Sequence, residues 1–407
     1  MSKPQVRVVR CDHLASDEAI YEAVQRASAP LVSAWARLKA ARTISIKFNQ
    51  AWRPDELRYH AGHLQELVDH RVARAVLRLL RETTSAEITC CEISVMGGPG
   101  KQHSVAETIT LLPVLREFDV PFVDGDQPPV RSVTVPGGGL MFADYVLPES
   151  VVTADAFVSV QKAKNHKFMG VTLCLKNLFG LCSEPPYGRP RRYYHHIIRL
   201  PYVLADLGRT IQPTLSIVDA LVGQAGREWG GEARICDALI AGDQVTATDA
   251  VACHLMGHDP LGDWPDMPYG RDRNPGLVCH ENGFGTADLA DMDWASEIAA
   301  PMAEFHAEQL DSDETVASWR RTTCEQALHY RDNEAKFRDY AGQFVLLQDR
   351  TVRWHGPKAD WHRSRREIAG PSKDSALWLK WVDPEEREQE RYEVYEQTLL
   401  RLDALGL

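Results

Sequence analysis

The chain has no Cys-x-x-Cys pair, no Gly-x-Gly-x-x-Gly turn, no phosphate loop of the Gly-Lys-Ser/Thr kind and no run of eighteen apolar residues. The missing cysteine pairs leave an iron-sulfur cluster or a zinc ribbon without support. Without the apolar run, no membrane span is expected. The opening Met1-Ser-Lys-Pro-Gln-Val-Arg7 leads into no apolar stretch of the export type. Nine cysteines are scattered through 407 residues, with Cys90 and Cys91 adjacent and Cys174 and Cys182 eight apart, in no framework spacing. Such usage fits reduced thiols, and the expected compartment is the cytoplasm.

Acid is scarce between Gln161 and Leu200. The whole chain carries a net charge of -11, which argues against a broad nucleic-acid surface. From Gln161 to Leu200, however, eight Lys or Arg face the single acid Glu184, so this stretch is +7 and the rest is -18. His166, His195 and His196 lie in the same stretch. A local reversal of sign in an acidic protein points to a focused site for an anion.

With 44% hydrophobic and 25% charged residues, the composition is that of an ordinary globular protein, and the length allows two or three structural units. Thr43–Phe48 alternates as a strand that ends at Lys47-Phe-Asn49. Pro54 to Leu80 has helical spacing and predicts one long or two short helices. Glu87 to Val95 reads as a strand, followed by Gly97-Gly-Pro-Gly100 and by Ser104-Val-Ala-Glu107, which has capping-box form. A glycine turn before a helix start can hold an anion through backbone N–H groups, with Lys101 assisting.

Short apolar runs between about 120 and 150, broken by Pro136-Gly-Gly-Gly139, predict a β-rich insertion. Strands and helices then alternate: Ala156 to Val160 strand, Gly170 to Leu181 helix, Tyr194 to Thr210 helix, Thr214 to Val218 strand, Ala238 to Ala241 strand and Gln244 to Met256 helix. The expected architecture is α/β, a mostly parallel sheet flanked by helices over residues 1–290. Residues 291–407 are expected to form a small α+β module suited to packing or assembly. It comprises a polar helix from Asp313 to Arg338, a hairpin turning at Asp349-Arg350, and an amphipathic helix from Pro384 to Leu405 with acids at its start.

If the strand that begins at Ala156 continues, Lys162, Lys164 and His166 share one side, where like charges depress each other's pKa and attract a carboxylate or phosphate. Within Gly170–Leu181 the polar residues Thr172 and Lys176 stand four apart, so one helix face would carry both, beside Asn177. A buried lysine needs a partner, which for Lys176 is the ligand or an acid such as Asp219 or Asp249. An aspartate inside the apolar run Val245 to Leu255 also needs a reason, and Asp249 is a candidate partner for Lys164 or Lys176. Arg189, Arg191 and Arg192 precede Tyr193-Tyr-His-His196 and can close over an anion bidentately.

Lys164-Asn-His166, Gly170-Val-Thr-Leu-Cys-Leu-Lys-Asn-Leu-Phe-Gly180, His195 or His196, Leu215-Ser-Ile-Val-Asp219, Gly242-Asp-Gln-Val-Thr-Ala-Thr-Asp-Ala-Val251 and Met256-Gly257 follow one another along the chain. In this order they resemble the successive motifs of a bacterial and archaeal family, domain of unknown function 362. Lys47-Phe-Asn49 is similar to that family's Lys-Pro-Asn, and the resemblance runs from Ile44 to Gly285. It implies no particular activity. Many members carry ferredoxin-like cysteine motifs or an export signal, and this chain shows neither. Where the family tends to have Met-Glu-Gly-x-Gly-Pro after the aspartate, this chain reads Ala220-Leu-Val-Gly-Gln-Ala-Gly226, without the glutamate.

These residues together predict an enzyme that holds a small carboxylate or phosphate metabolite. Lys47, Asn49, Lys162, Thr172, Lys176, Asn177 and Arg192 would bind it, and His166, His195, His196 and Lys164 would move a proton. Isomerisation, elimination or a metal-assisted step all fit, the last because Asp219 and Asp249 with histidines can ligate a divalent metal. The alternative is a non-catalytic anion- or cofactor-binding protein whose C-terminal module docks a partner. Neither nucleic acid nor membrane is an expected partner, whereas self-association through the C-terminal module is.

Overall fold

A computed structural model describes residues 3–94, 97–98, 101–358, 368 and 377–407. Val95, Met96, Pro99 and Gly100 lie outside them, and with them the end of the second predicted strand and part of the glycine turn.

Strands β1 (Gln5–Arg10), β2 (Thr43–Phe48), β3 (Tyr59–His60), β4 (His63–Leu64), β5 (Glu87–Glu92) and β6 (Phe122–Asp124) are followed by β7 (Val130–Thr134), β8 (Asp144–Pro148), β9 (Ala156–His166) and β10 (Gly170–Thr172). The remainder are β11 (Leu215–Ala225), β12 (Glu232–Gly242), β13 (Asp293–Ser296), β14 (Phe344–Gln348), β15 (Thr351–Gly356) and β16 (Trp378–Trp381). The main sheet runs β13-β1-β12-β11-β9-β2-β5-β6, with β10 folded back on β9. The run from β11 to β6 is parallel throughout, while β12 is antiparallel to both its neighbours. The mostly parallel α/β sheet expected from the alternation of elements is therefore present.

Burial on both faces explains why the central strands read as apolar runs. All eleven residues of β9 and all eleven of β11 are buried. Ile46, Val158, Val160 and Ile217 face one core under helices Asp17–Ser28 and His70–Thr83, whereas Phe157, Val218 and Ile240 face a second core under helices Arg199–Ile211 and Val245–Leu255. β7 and β8 pair as a hairpin beside the sheet, while β6, in the same stretch, is the main sheet's edge strand. β14 pairs with β15 and β16, and the turn residues Asp349 and Arg350 both have positive φ, as a two-residue hairpin loop of this twist requires. Among the described residues no helix is long and apolar enough to cross a membrane.

Four expected elements differ. Between Pro54 and Leu80 the helix starts only at His70, where Asp69 caps it. The residues before it form the β3–β4 hairpin, turned by Ala61 and Gly62 at φ of 48° and 81°. Gly170 to Leu181 opens as β10 and becomes helical only from Cys174 to Leu178. Gly170 has a φ of 75° and no room for a side chain, since a Cβ would sit 2.8 Å from the Pro268 carbonyl oxygen. The expected helix from Tyr194 to Thr210 is broken, because Ile198, at a φ of 77°, separates Arg191–Tyr194 from Arg199–Ile211. In the tail, Glu386 and Gln389 take positive φ, so the helix is confined to Glu393–Leu405 and the acids before it are free to turn inward.

A cationic cleft at the ends of the central strands

β2, β5 and β9 end on the same side of the sheet, where parallel α/β sheets place their ligands. A cleft of about 230 Å³ opens there. Its floor is an ion pair. Lys47, near the end of β2, contacts Glu92 at the end of β5 and donates to Asn177 Oδ1 at 2.9 Å. Asn177 in turn donates to Ser159 Oγ at 3.0 Å, locking helix Cys174–Leu178 onto the sheet. Burial pushes the Glu92 carboxyl up despite Lys47 beside it. Gly180 lets the chain pass over this pair, since a Cβ there would lie 2.7 Å from Glu92 Oε1 and from Lys47 Cε and Nζ. Gly180→Ala is expected to cost about 1–3 kcal/mol, because the buried pair has no room to retreat. Urea unfolding of the variant measures it.

Above the floor stand three cations that no carboxylate reaches within ion-pair distance among the described residues. Lys164 donates to the Glu66 carbonyl oxygen at 2.7 Å and lies 4.3 Å from the centre of the Trp229 ring. Lys176 and Arg191 lie 4.6 and 4.7 Å from the centre of the Phe179 ring. Burial lowers the Lys164 ammonium to about 8 and the Lys176 ammonium to about 7, the latter with help from Arg191. Asn49 Oδ1, Thr172 Oγ1 and Arg191 Nη1 are buried in the same lining without a hydrogen-bond partner. Trp52 stacks on Trp229 at 3.7 Å between centroids, joining two loops of the lining.

Two imidazoles complete the wall. The rings of His166 and His195 are 5.9 Å apart at an interplanar angle of 30°. Burial, then the Lys176 charge, pushes both well below the ordinary histidine value, so both are neutral at pH 7. His166 Nδ1 accepts the backbone N–H groups of Phe168 and Met169 at 3.0 and 3.2 Å, so its proton sits on Nε2. Glu228 Oε2 is 3.7 Å from that Nδ1, but the nitrogen's lone pair is already engaged and the two form no charged pair.

Of the residues singled out in the sequence, Lys47, Asn49, Lys164, His166, Thr172, Lys176, Asn177 and His195 line this cleft. Five do not. Lys162 is held by Asp219 at 2.9 Å, both side chains buried, and so does not reach the cleft; a register shift in β11 separates the partners of Lys162 and Lys164. Asp219 also accepts the Asp69 N–H at 2.8 Å. Asp249 pairs with neither Lys164 nor Lys176. It accepts the Cys174 and Leu175 N–H groups, each at 2.8 Å, capping a different helix from its own. His196 sits between the carbonyl oxygens of Ile197 and Leu377, and Arg192 is exposed while Arg191 lines the cleft. Asp219 and Asp249 are thus not gathered with the histidines. Among the described residues, the group with metal-ligand atoms in mutual reach is Asp12, His13 and Asp237, none of which lines the cleft.

Arg191, one of the three arginines expected to close over an anion, lines the cleft as well, and Glu92, Glu228, Trp52 and Trp229 join it without having been selected as site residues. Glu92 had one available signal, its position at a strand end parallel to Lys47. The loop carrying Glu228 and Trp229 had none.

Residues 46–254, half of the chain, match the family described as Domain of unknown function (DUF362). The chain belongs to this family. Every lining residue of the cleft falls inside the DUF362 match. Thylakoid-associated protein sll1697 of Synechocystis sp. is 27% identical over 167 residues, 40% of this chain and 49% of that protein. This chain thus spans about half the length of that curated relative. Among solved structures, the lactate racemase apoprotein from Thermoanaerobacterium thermosaccharolyticum matches 63% of this chain and 57% of its own, at 13% identity and a TM-score of 0.37.

Proposed function

We propose that the cleft binds a small carboxylate or phosphate metabolite and that the chain is an enzyme moving a proton on it through His166 and His195. The observation that carries this is the convergence of Lys164, Lys176 and Arg191 with no carboxylate within ion-pair distance of them among the described residues. Unpaired charge in a partly dry site costs several kcal/mol, and an incoming anion offsets that cost. The neutral rings suit acid-base work: His166 offers an N–H and His195 an available imidazole, as isomerisation or elimination beside a carboxylate requires. Nine buried, unpaired thiols support a cytoplasmic setting.

Titration with oxalate or inorganic phosphate, followed through the fluorescence of Trp52 and Trp229, tests the anion site. Saturable binding is expected. Lys164→Ala or Arg191→Ala should weaken it about tenfold to a hundredfold, the worth of a charged hydrogen bond. Affinity should be highest below pH 7 and fall as the pH rises through the Lys176 and Lys164 values of about 7 and 8, because each lysine then loses the charge that holds the anion. No binding of either anion at any pH removes the proposal. Once a turned-over substrate is known, His166→Ala should abolish turnover while leaving oxalate affinity within about threefold.

A further inference from the structure

Lys176 is half-buried and differs from the fully buried lysines in what its nitrogen meets. Lys47 has Glu92 and Asn177, Lys162 has Asp219, Lys164 has the Glu66 carbonyl, and Lys380 has Glu388 and Glu390. Among the described residues Lys176 meets no oxygen at all, only the Phe179 ring, and the Arg191 guanidinium lies against that same ring. Helix Cys174–Leu178, which carries Lys176, is fixed at its start by Asp249 and by Asn177 on the sheet.

We propose that Lys176 is a nucleophile that forms an imine with an oxo acid, the carboxylate of which docks on Arg191 and Lys164. This deepens, and rests on, the reading of the cleft as an anion site. A lysine becomes nucleophilic at neutral pH when it is desolvated or set beside another cation, and here both conditions hold. Arg191, Lys164 and Lys47 face it as cations and Glu228 as the opposing acid. The balance leaves the ammonium at about 7, so that a large fraction is free amine at neutral pH. The neighbouring Thr172 Oγ1, buried and without a partner, is a hydrogen-bonding group available to the carbonyl oxygen.

The step balances without an oxidant or reductant. The amine lone pair forms the C–N bond while the carbonyl π pair moves to oxygen, which takes up a proton. The nitrogen then gives up a proton, the hydroxyl leaves as water with a second one, and the nitrogen lone pair closes the C=N bond. Amine, carbonyl and one proton thus become the protonated imine and one water, and return of the remaining N–H proton gives the neutral imine. The neutral imidazoles of His166 and His195, in the same lining, are the proton carriers at hand.

Glyoxylate with sodium cyanoborohydride tests this on the full chain at pH 7. Hydride from the reagent reduces the imine and leaves a carboxymethyl group on the lysine, which peptide mapping locates. Labelling of Lys176 at least about tenfold faster than of the exposed Lys39 and Lys336 is expected, with oxalate protecting it. Lys176→Arg should remove the fast label, and oxalate protection of the unmutated chain keeps the test decisive should that variant misfold. Labelling no faster than at the surface, concentrated on Lys164, or indifferent to oxalate overturns the proposal. Oxalate binding seen by fluorescence without Lys176 labelling sinks the imine and leaves the anion site standing, whereas absence of oxalate binding sinks the anion site itself.

Discussion

Asp219→Ala is expected to destabilise the fold by about 3–5 kcal/mol, as removal of one member of a buried ion pair does. Its carboxylate holds the Lys162 ammonium at 2.9 Å with neither side chain exposed by more than 1%. It also accepts N–H groups of Asp69 and Leu221, so it ties β11 to the start of helix His70–Thr83. Removal strands a charge with no water to receive it and leaves two amide hydrogens unpaired. Lys162→Met should cost a comparable amount for the mirror-image reason. Replacing both, as Lys162→Met with Asp219→Leu, should recover most of the loss, because two apolar side chains need no partner. Urea unfolding of Lys162→Met, Asp219→Leu and their double variant closes the cycle. Additive losses would show that the two charges do not depend on each other, and restoration of Asp219→Ala by added divalent metal would return this aspartate to a metal-binding role.

That pair also shows where sequence patterning stops. Lys162, Lys164 and His166 alternate along one strand, and strict alternation gives them one side; yet Asp219 on the neighbouring strand takes Lys162 as its partner, so Lys162 stays out of the cleft. Parity is a local property, whereas the choice of partner is not. The parallel sheet and the importance of Lys47, Lys164, His166 and Lys176 were legible because strand ends and an apolar helix carrying a lysine are local signals. Asp249 was recognisable as a residue in need of a reason, yet the reason is the open end of a helix some seventy residues earlier in the chain. His195 and His196 are adjacent, and His196 is turned away from the cleft onto the carbonyl oxygens of Ile197 and, far along the chain, Leu377. The break at Ile198 and the turns at Ala61 and Glu386 were invisible because these residues adopt positive φ only under tertiary constraint.

The tail supplies the second large effect. Glu390→Gln is expected to lower stability by about 3–5 kcal/mol. Its carboxylate contacts Arg199 Nε at 2.8 Å, Lys380 Nζ at 3.0 Å and the Tyr395 hydroxyl at 2.6 Å, and neither cation is exposed at all. Neutralising it leaves the enclosed Arg199 without a carboxylate in ion-pair distance among the described residues and Lys380 with Glu388 alone, which also accepts from Tyr193 and Arg189. Burial pulls the Glu390 carboxyl upward, but Arg199 and Lys380 outweigh it and hold the group below its ordinary value. A depressed carboxyl adds stability that is full above the unfolded carboxylate value of about 4.3 and is lost as the pH falls through the folded value. The unmutated chain should therefore weaken with acid more steeply than Glu390→Gln in parallel urea titrations. Tyr193 shares its four-residue helix with Arg191, and His195 follows directly, so the tail braces the wall of the cleft that carries both. Glu390→Gln should accordingly weaken oxalate binding although Glu390 does not line the cleft, and an unchanged affinity beside a large loss of stability would separate the brace from the site.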